Sequence, residues 1–285
     1  MNVASEKWSH LMNPFVTRFI SSLAAVLLLV VSWWWLDAFG LKLVVIAGVP
    51  ITAYELLKIL FLPHDSKSNK FAFYIFLLFI FSLCSIFPTH SAIIFAFLSV
   101  IFCLLSLLSH AKFETLDRLF HFQAKSILGF LYGGLLPSFL LQLLDLPHGV
   151  VWFSALLSIV FSGDISAYIV GRLFGKTKLI PKISPKKTIE GALGGLTVSI
   201  LTGLVVHAYL PQIPIYSMLL LSLAVSVVAQ FGDLFESLLK RVADVKDSGS
   251  LMPGHGGILD RIDGVLFASP VLLFGALILE GLLIK

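Results

Sequence analysis

The chain has 285 residues, 58% of them hydrophobic and only 13% charged, with a mean hydropathy of +0.99 and a formal net charge of +4. A soluble domain carries about 25% charged residues, so this composition excludes an ordinary water-soluble fold. The modest positive balance says less than the places where the charges stand.

Successive apolar runs of about twenty residues, each able to cross a ~30 Å hydrocarbon layer, mark an integral membrane protein. Strands of a membrane barrel would alternate polar with apolar over ~10 residues. A stretch such as SLAAVLLLVVSWWWL does not. The expected fold is therefore all-α: a polytopic bundle of about nine spans, one domain over 1–285, with a polar cavity facing the cytoplasm. In chain order the spans fall near 19–36, 42–63, 71–89, 91–109, 126–145, 149–171, 189–210, 214–235 and 262–284. The first run follows Lys7 and Arg18 but ends in Trp33, Trp34 and Trp35 with no small-x-small cleavage pattern, so it reads as a retained helix rather than a signal peptide. Cys84 and Cys103 lie inside apolar runs and read as small hydrophobes. Between the fourth and fifth spans, SHAKFETLDRLFHFQAKS (109–126) reads equally as an amphipathic surface helix or as a solvated loop with one packed face.

Nine spans put the connections around 64–70, 110–125, 172–188 and 236–261 on the side of the N-terminus. Of the 20 Lys and Arg residues, all but Lys42 and Lys285 fall on that side. The positive-inside rule makes it cytoplasmic and leaves the C-terminus outside. The compact length favours a bacterial inner membrane.

Two cytoplasmic segments, 164–190 and 232–263, hold half of the acids and half of the bases. Asp164 lies inside the sixth span and Asp233 at the end of the eighth, and an ionisable group within a span usually faces a partner or a wet cavity. The spacing of Asp233, Ser237, Lys240 and Arg241 forms one helical stripe, and Asp260 and Asp263 share one face at the start of the ninth span. If these helices are neighbours, three carboxylates converge beside a row of bases. Such oxygen donors suit Mg²⁺, which binds through one or two carboxylates, waters and substrate phosphates.

The earlier segment, GRLFGKTKLIPKISPKKTIEG, supplies Arg172, Lys176, Lys178, Lys182, Lys186 and Lys187 before the first acid, Glu190. Thr188 or Ser184 can cap a helix start there, and lysines around a helix N-terminus make an anion site. Gly191, Gly194 and Gly195 read as close helix packing. In PGHGG, residues 253–257, the glycines allow a sharp turn, while His255 reads equally as a phosphate donor or a structural residue. No GKS/T follows, so this is not a P-loop. The residues alone give a membrane-embedded, cytoplasm-facing site with metal-binding acids and phosphate-binding bases.

The string SLLKRVADVKDSGSLMPGHGGILDRID, 237–263, resembles the signature of phosphatidate cytidylyltransferases, the CDP-diacylglycerol synthases: S-x-x-K-R, then K-D, then P-x-H-G-G-x-x-D-R-x-D. DISAYIVGRLFGKTKLIPKISPKKTIEG, 164–191, resembles that family's earlier block, and Glu55 in the second span also fits. Ile165 and Ile189 stand where the family usually has a hydroxyl residue and a tryptophan, and Met252 stands before Pro253 in place of Leu, Ile or Phe.

The resemblance implies transfer of CMP from CTP to phosphatidic acid, giving CDP-diacylglycerol and pyrophosphate. It implies Asp233, Asp260 and Asp263 as the catalytic metal-holding acids, with Mg²⁺ and a second cation nearby. It also implies substrate contacts from Asp164, Lys176, Ser184, Lys186, Lys187, Thr188, Glu190, Ser237, Lys240, Arg241, Lys246, Asp247, His255 and Arg261. No nucleic-acid partner is expected, and a homodimer is expected on general grounds. The alternatives are the same chemistry on another lipid phosphate or, less well supported, a transporter; the clustering of the acids at helix ends and the lack of an inverted repeat argue against transport.

Overall fold

A computed structural model of the chain describes residues 14–61, 65–254 and 256–282; of Pro14, Phe15 and Arg18 it describes the backbone alone. His255 and the terminal Lys7 and Lys285 of the charge pattern lie outside the described residues. Eight helices among them are long and apolar enough to cross a membrane, and the protein is an integral, multi-pass membrane helical bundle.

Helix α1 runs Pro14–Leu60 but breaks at Asp37, whose φ of 51° and ψ of −140° are not helical. Its apolar part, Phe19–Leu60, has 42 residues. At 1.5 Å per residue that is about 63 Å, two hydrocarbon thicknesses. Just past the break Gly40 lies against the carbonyl of Ser32, leaving no room for a Cβ, so the second arm leaves sharply. The two arms fall on the first two expected spans, 19–36 and 42–63, so eight such helices stand against the about nine spans expected.

Helices α2 (Lys67–Ile86) and α3 (Ser91–Leu108) follow, joined by a short turn at Pro88–His90. Helix α4 (Leu116–Gly129) is capped by Thr115, whose hydroxyl accepts from the Arg118 N–H. It does not stop at Gly129. It runs through a π-helical segment, Phe130–Leu135, into α5 (Leu136–Leu144), so the 109–126 stretch is largely the first turns of the fifth span. The widened turn has a local cause. Pro137 has no N–H to donate, and its ring would clash with the carbonyl four residues back in a regular α-helix. The segment is buried: Gly133 meets Leu56 and Leu77, and Phe130 stacks on Phe73 at 5.3 Å between centroids.

Helix α6 (Gly149–Phe174) leads to a feature the sequence reading did not anticipate, an antiparallel hairpin of β1 (Lys178–Ile180) and β2 (Ser184–Thr188). Alternation in KLIPKISPKKT is too short and too basic to announce strands. Helices α7 (Ile189–His207), α8 (Ile215–Val242) and α9 (Leu259–Leu279) complete the chain. The glycines pack α7 on α6 as expected. A Cβ at Gly191 would stand 2.7 Å from the Ala167 carbonyl, and one at Gly194 2.6 Å from Val170. The small contacts of α9 on α8 do the same: Gly232 faces the Asp263 carbonyl at 2.8 Å from where its Cβ would be.

Candidate active site

The second signature block folds into a turn and the start of α9. Met252 N–H donates to the Gly256 carbonyl at 2.9 Å, closing PGHGG on itself. Gly256 has a φ of +86°, and a Cβ there would meet Asp260 Oδ2 at 2.6 Å. Only glycine satisfies both conditions.

Asp260 is why the turn must come so close. Its Oδ2 accepts from Gly257 N–H (2.7 Å), Ser248 N–H (2.9 Å) and Ser248 Oγ (2.9 Å), while Oδ1 accepts from Lys240 Nζ (2.7 Å). A carboxylate offers about four acceptor positions, so these bonds saturate it. Asp260 thus ties the loop after α8 to the first turn of α9 and to Lys240. Lys240 also donates to Glu236 at 2.7 Å, one turn back. Both acids are all but sealed from solvent, with side-chain exposures of 4% and 1%.

Asp233 lies well inside α8, because that helix runs on to Val242 rather than ending near 235. Lys187 at the end of β2 pairs with it at 2.6 Å, and Ser237 donates to it at 3.4 Å. The hairpin is held in place by Arg241 Nε, which donates to the Ile183 carbonyl, and by Glu190, which accepts from the N–H groups of Lys176 and Thr177. Thr188, not Ser184, caps α7 by accepting from Gly191 N–H at 3.1 Å. The side chains of Thr188 and Glu190 therefore have structural work in the bond network, while Lys176 enters it through its backbone N–H. Asp164, Lys186, Arg241, Lys246, Asp247 and Arg261 are exposed, and Ser184 is half-buried.

Asp263 is buried, and its Oδ1 accepts from the N–H of Gly264. Unlike Asp233 and Asp260 it is paired with no lysine among the described residues. The carboxylates of Asp233, Glu236 and Asp164 all bear on it electrostatically. So the structure gathers Asp233, Asp263 and Asp164 with Lys187 on one side, and Asp260 with Lys240 and Glu236 on the other. No group of three or more His, Cys, Asp or Glu among the described residues stands ready to enclose a metal.

Glu55, which is absent from the expected set of substrate and metal contacts, proves central. It is buried in the second arm of α1 and accepts from Ile258 N–H (3.1 Å), Leu259 N–H (2.8 Å) and Ser248 Oγ (3.3 Å). It caps the start of α9, and Gly249 and Gly257 press against it too closely to carry side chains. A lone acid inside an apolar span was the available signal.

Between the hairpin, α8 and α9 runs an apolar groove of about 310 Å³, lined by Ile180, Ile183, Phe231, Leu234, Phe235, Leu238 and Phe267. A charged cluster and an apolar groove thus share one helix, α8.

The profile of the cytidylyltransferase family matches residues 16–278. Among curated proteins the chain is similar to the phosphatidate cytidylyltransferase of Bacillus subtilis, 44% identical over 147 residues that cover 50% of this chain and 54% of the relative. It is similar to the phosphatidate cytidylyltransferase of Synechocystis, 40% identical over 183 residues covering 54% and 62%, and to that of Staphylococcus epidermidis, 51% identical over 115 residues covering 40% and 44%. The chain spans about half the length of the curated relatives it matches.

Proposed function

The chain belongs to the cytidylyltransferase family, and from that premise we propose that it transfers CMP from CTP to phosphatidic acid, releasing pyrophosphate and leaving CDP-diacylglycerol in the membrane. A single observation carries the reading: two lysine–carboxylate pairs, Lys187–Asp233 and Lys240–Asp260, flank the buried Asp263 at one end of the bundle, beside an apolar groove. A reaction between a soluble polyanion and a lipid-anchored one needs cations and apolar surface within one molecule's reach.

In this reading a phosphatidate oxygen attacks the α-phosphorus of CTP in line, and pyrophosphate leaves. No general base is needed, because the lipid phosphate is already ionised at neutral pH; catalysis is positioning and electrostatic stabilisation. Lys187 exchanges its hold on Asp233 for phosphate oxygens, which frees that carboxylate. Lys240, anchored by Glu236 and Asp260, presents a fixed positive charge that cannot swing away. Arg241 and the exposed Lys186, Lys246 and Arg261 draw in the polyanions, and the groove beside Leu234 takes an acyl chain.

The donor set fits Mg²⁺. That ion requires only one or two carboxylates plus waters and phosphates, and Asp233 and Asp263 supply them, while Asp260 is taken up by Lys240 and the loop. Asp233 and Asp263 would hold the ion, which would supply positive charge against the negative charge that develops during phosphoryl transfer. The basic side of the chain faces the cytoplasm of a bacterial inner membrane. At the other end Lys42 pairs with Asp145, and Glu280 accepts from Trp152. Purified protein given labelled CTP and phosphatidate should form labelled CDP-diacylglycerol with Mg²⁺ and none with excess chelator. No labelled lipid under either condition overturns the proposal.

A further inference from the structure

Tyr132 is the odd residue in the bundle. It sits in the π-helical segment, its side chain is 1% exposed, and its hydroxyl has no hydrogen-bond partner among the described residues. Leaving a buried donor unsatisfied costs about 1–3 kcal/mol. Phenylalanine would fill the same space without that cost, so packing does not account for the hydroxyl. The ring cannot swing to find a partner elsewhere. Phe235 and Phe267 clasp it edge-on, at 5.6 and 5.4 Å between centroids.

Those two phenylalanines also fix where the hydroxyl is. Phe235 is next to Glu236, and Phe267 is one helical turn beyond Asp263. The carboxylates bearing on the phenol are, strongest first, those of Asp263, Glu236, Asp233 and Asp260. Near them, Glu236 Oε1 is itself buried and without a partner. The site therefore holds one uncharged donor with no acceptor, and among the acids around it one buried oxygen, Glu236 Oε1, with no donor.

On the reading of the site given above, we propose that Tyr132 is a positioning residue: its hydroxyl donates a hydrogen bond to the Asp263 carboxylate when that carboxylate holds a cation, and so fixes the direction in which Asp263 presents its other oxygen. A π-turn suits this task, since its extra residue re-aims side chains without ending the helix. The bond forms only on loading, when a cation offsets the repulsion that Asp233 and Glu236 exert on an Asp263 carboxylate otherwise held by the Gly264 N–H.

Tyr132→Phe tests this cleanly, because it removes the oxygen alone. Three quantities are read on purified full-length protein: the thermal unfolding midpoint, Mn²⁺ binding followed by the paramagnetic resonance of the free ion, and the rate of CTP-dependent conversion of phosphatidate. The expected result is an unchanged or raised midpoint, Mn²⁺ binding weakened about tenfold, and a rate at limiting Mg²⁺ that falls about tenfold and recovers in part at high Mg²⁺, as for one lost bond to a charged group. A wild-type-like Mn²⁺ affinity in Tyr132→Phe overturns the proposal. So does a fall in rate that tracks a lowered midpoint, which would make the hydroxyl structural. A wild-type chain that binds no Mn²⁺ and converts no lipid would sink the underlying reading and this inference with it.

Discussion

The backbone N–H of Leu259 donates to Glu55 Oε2 at 2.8 Å across 204 positions of sequence. With the bonds from Ile258 and Ser248, it makes one buried carboxylate in the second arm of α1 the seat for the turn that carries the signature residues. The first turn of α9 leaves unpaired N–H groups, as every helix start does, and in a lipid-surrounded bundle they need an internal acceptor. Glu55 supplies it, and its charge sits favourably at the positive end of the helix dipole.

Glu55→Ala should therefore strip the acceptor from two backbone donors at once, the N–H groups of Ile258 and Leu259, while Ser248 Oγ keeps Asp260. At about 1–3 kcal/mol for each unsatisfied group, the variant should unfold several degrees earlier in detergent and lose nearly all activity. Glu55→Gln keeps one strong acceptor and should fall between the two. An alanine variant with a wild-type melting curve and wild-type turnover would show that the turn is held by something else.

Gly256→Ala isolates the turn itself. The substitution meets a φ of +86° and the Asp260 oxygen together, so strain of about 1–3 kcal/mol falls on the contact that orders Asp260. The expected outcome is a modest loss of stability with a large loss of rate. Gly281 shares a positive φ but has open space around it, so Gly281→Ala is the control and should keep full activity. Equal rates for the two variants would remove the turn from the mechanism.

Much of this arrangement was legible from the chain because membrane insertion writes its constraints locally. Apolar run length predicts the spans, and the Asp233 to Arg241 stripe predicts a polar face of α8, which meets the hairpin through Asp233 and Arg241 and α9 through Lys240. The hairpin at 178–188 was not legible, because its pairing is fixed by Glu190 and Arg241, residues outside the strands. Nor was the division of labour among the acids. Spacing puts Asp260 and Asp263 on one face, yet only the loop folding back from Ser248 and Gly257 decides that Asp260 is saturated while Asp263 keeps no lysine.

That difference separates two substitutions that look alike on paper. Asp263→Asn should leave the fold intact and remove a cation-holding charge worth several kcal/mol in the transition state, so turnover should drop roughly a hundredfold or more. Melting should change little or improve, since buried like charges are relieved. Asp260→Asn should instead lower the melting temperature as well as the rate, because it weakens the bond to Lys240 and turns a saturated acceptor partly into a donor facing N–H groups. Finding the stability loss in Asp263→Asn and not in Asp260→Asn would reverse these roles.

Lys187 offers the last test, and its outcome depends on what it touches at each stage. It pairs with Asp233 at 2.6 Å, both side chains partly exposed at 26% and 35%, so the pair itself adds little to stability. If the same lysine moves to the triphosphate, its worth appears only with nucleotide bound, as a charge-assisted contact of roughly 1.5–3 kcal/mol. Lys187→Ala should then melt within a degree or so of the parent, while its kcat/KM for CTP falls about tenfold to a hundredfold. Lys187→Arg should recover part of the loss, since it restores the charge but with a wider, planar head. A variant whose CTP kinetics match the parent would leave Lys187 as a hairpin anchor alone.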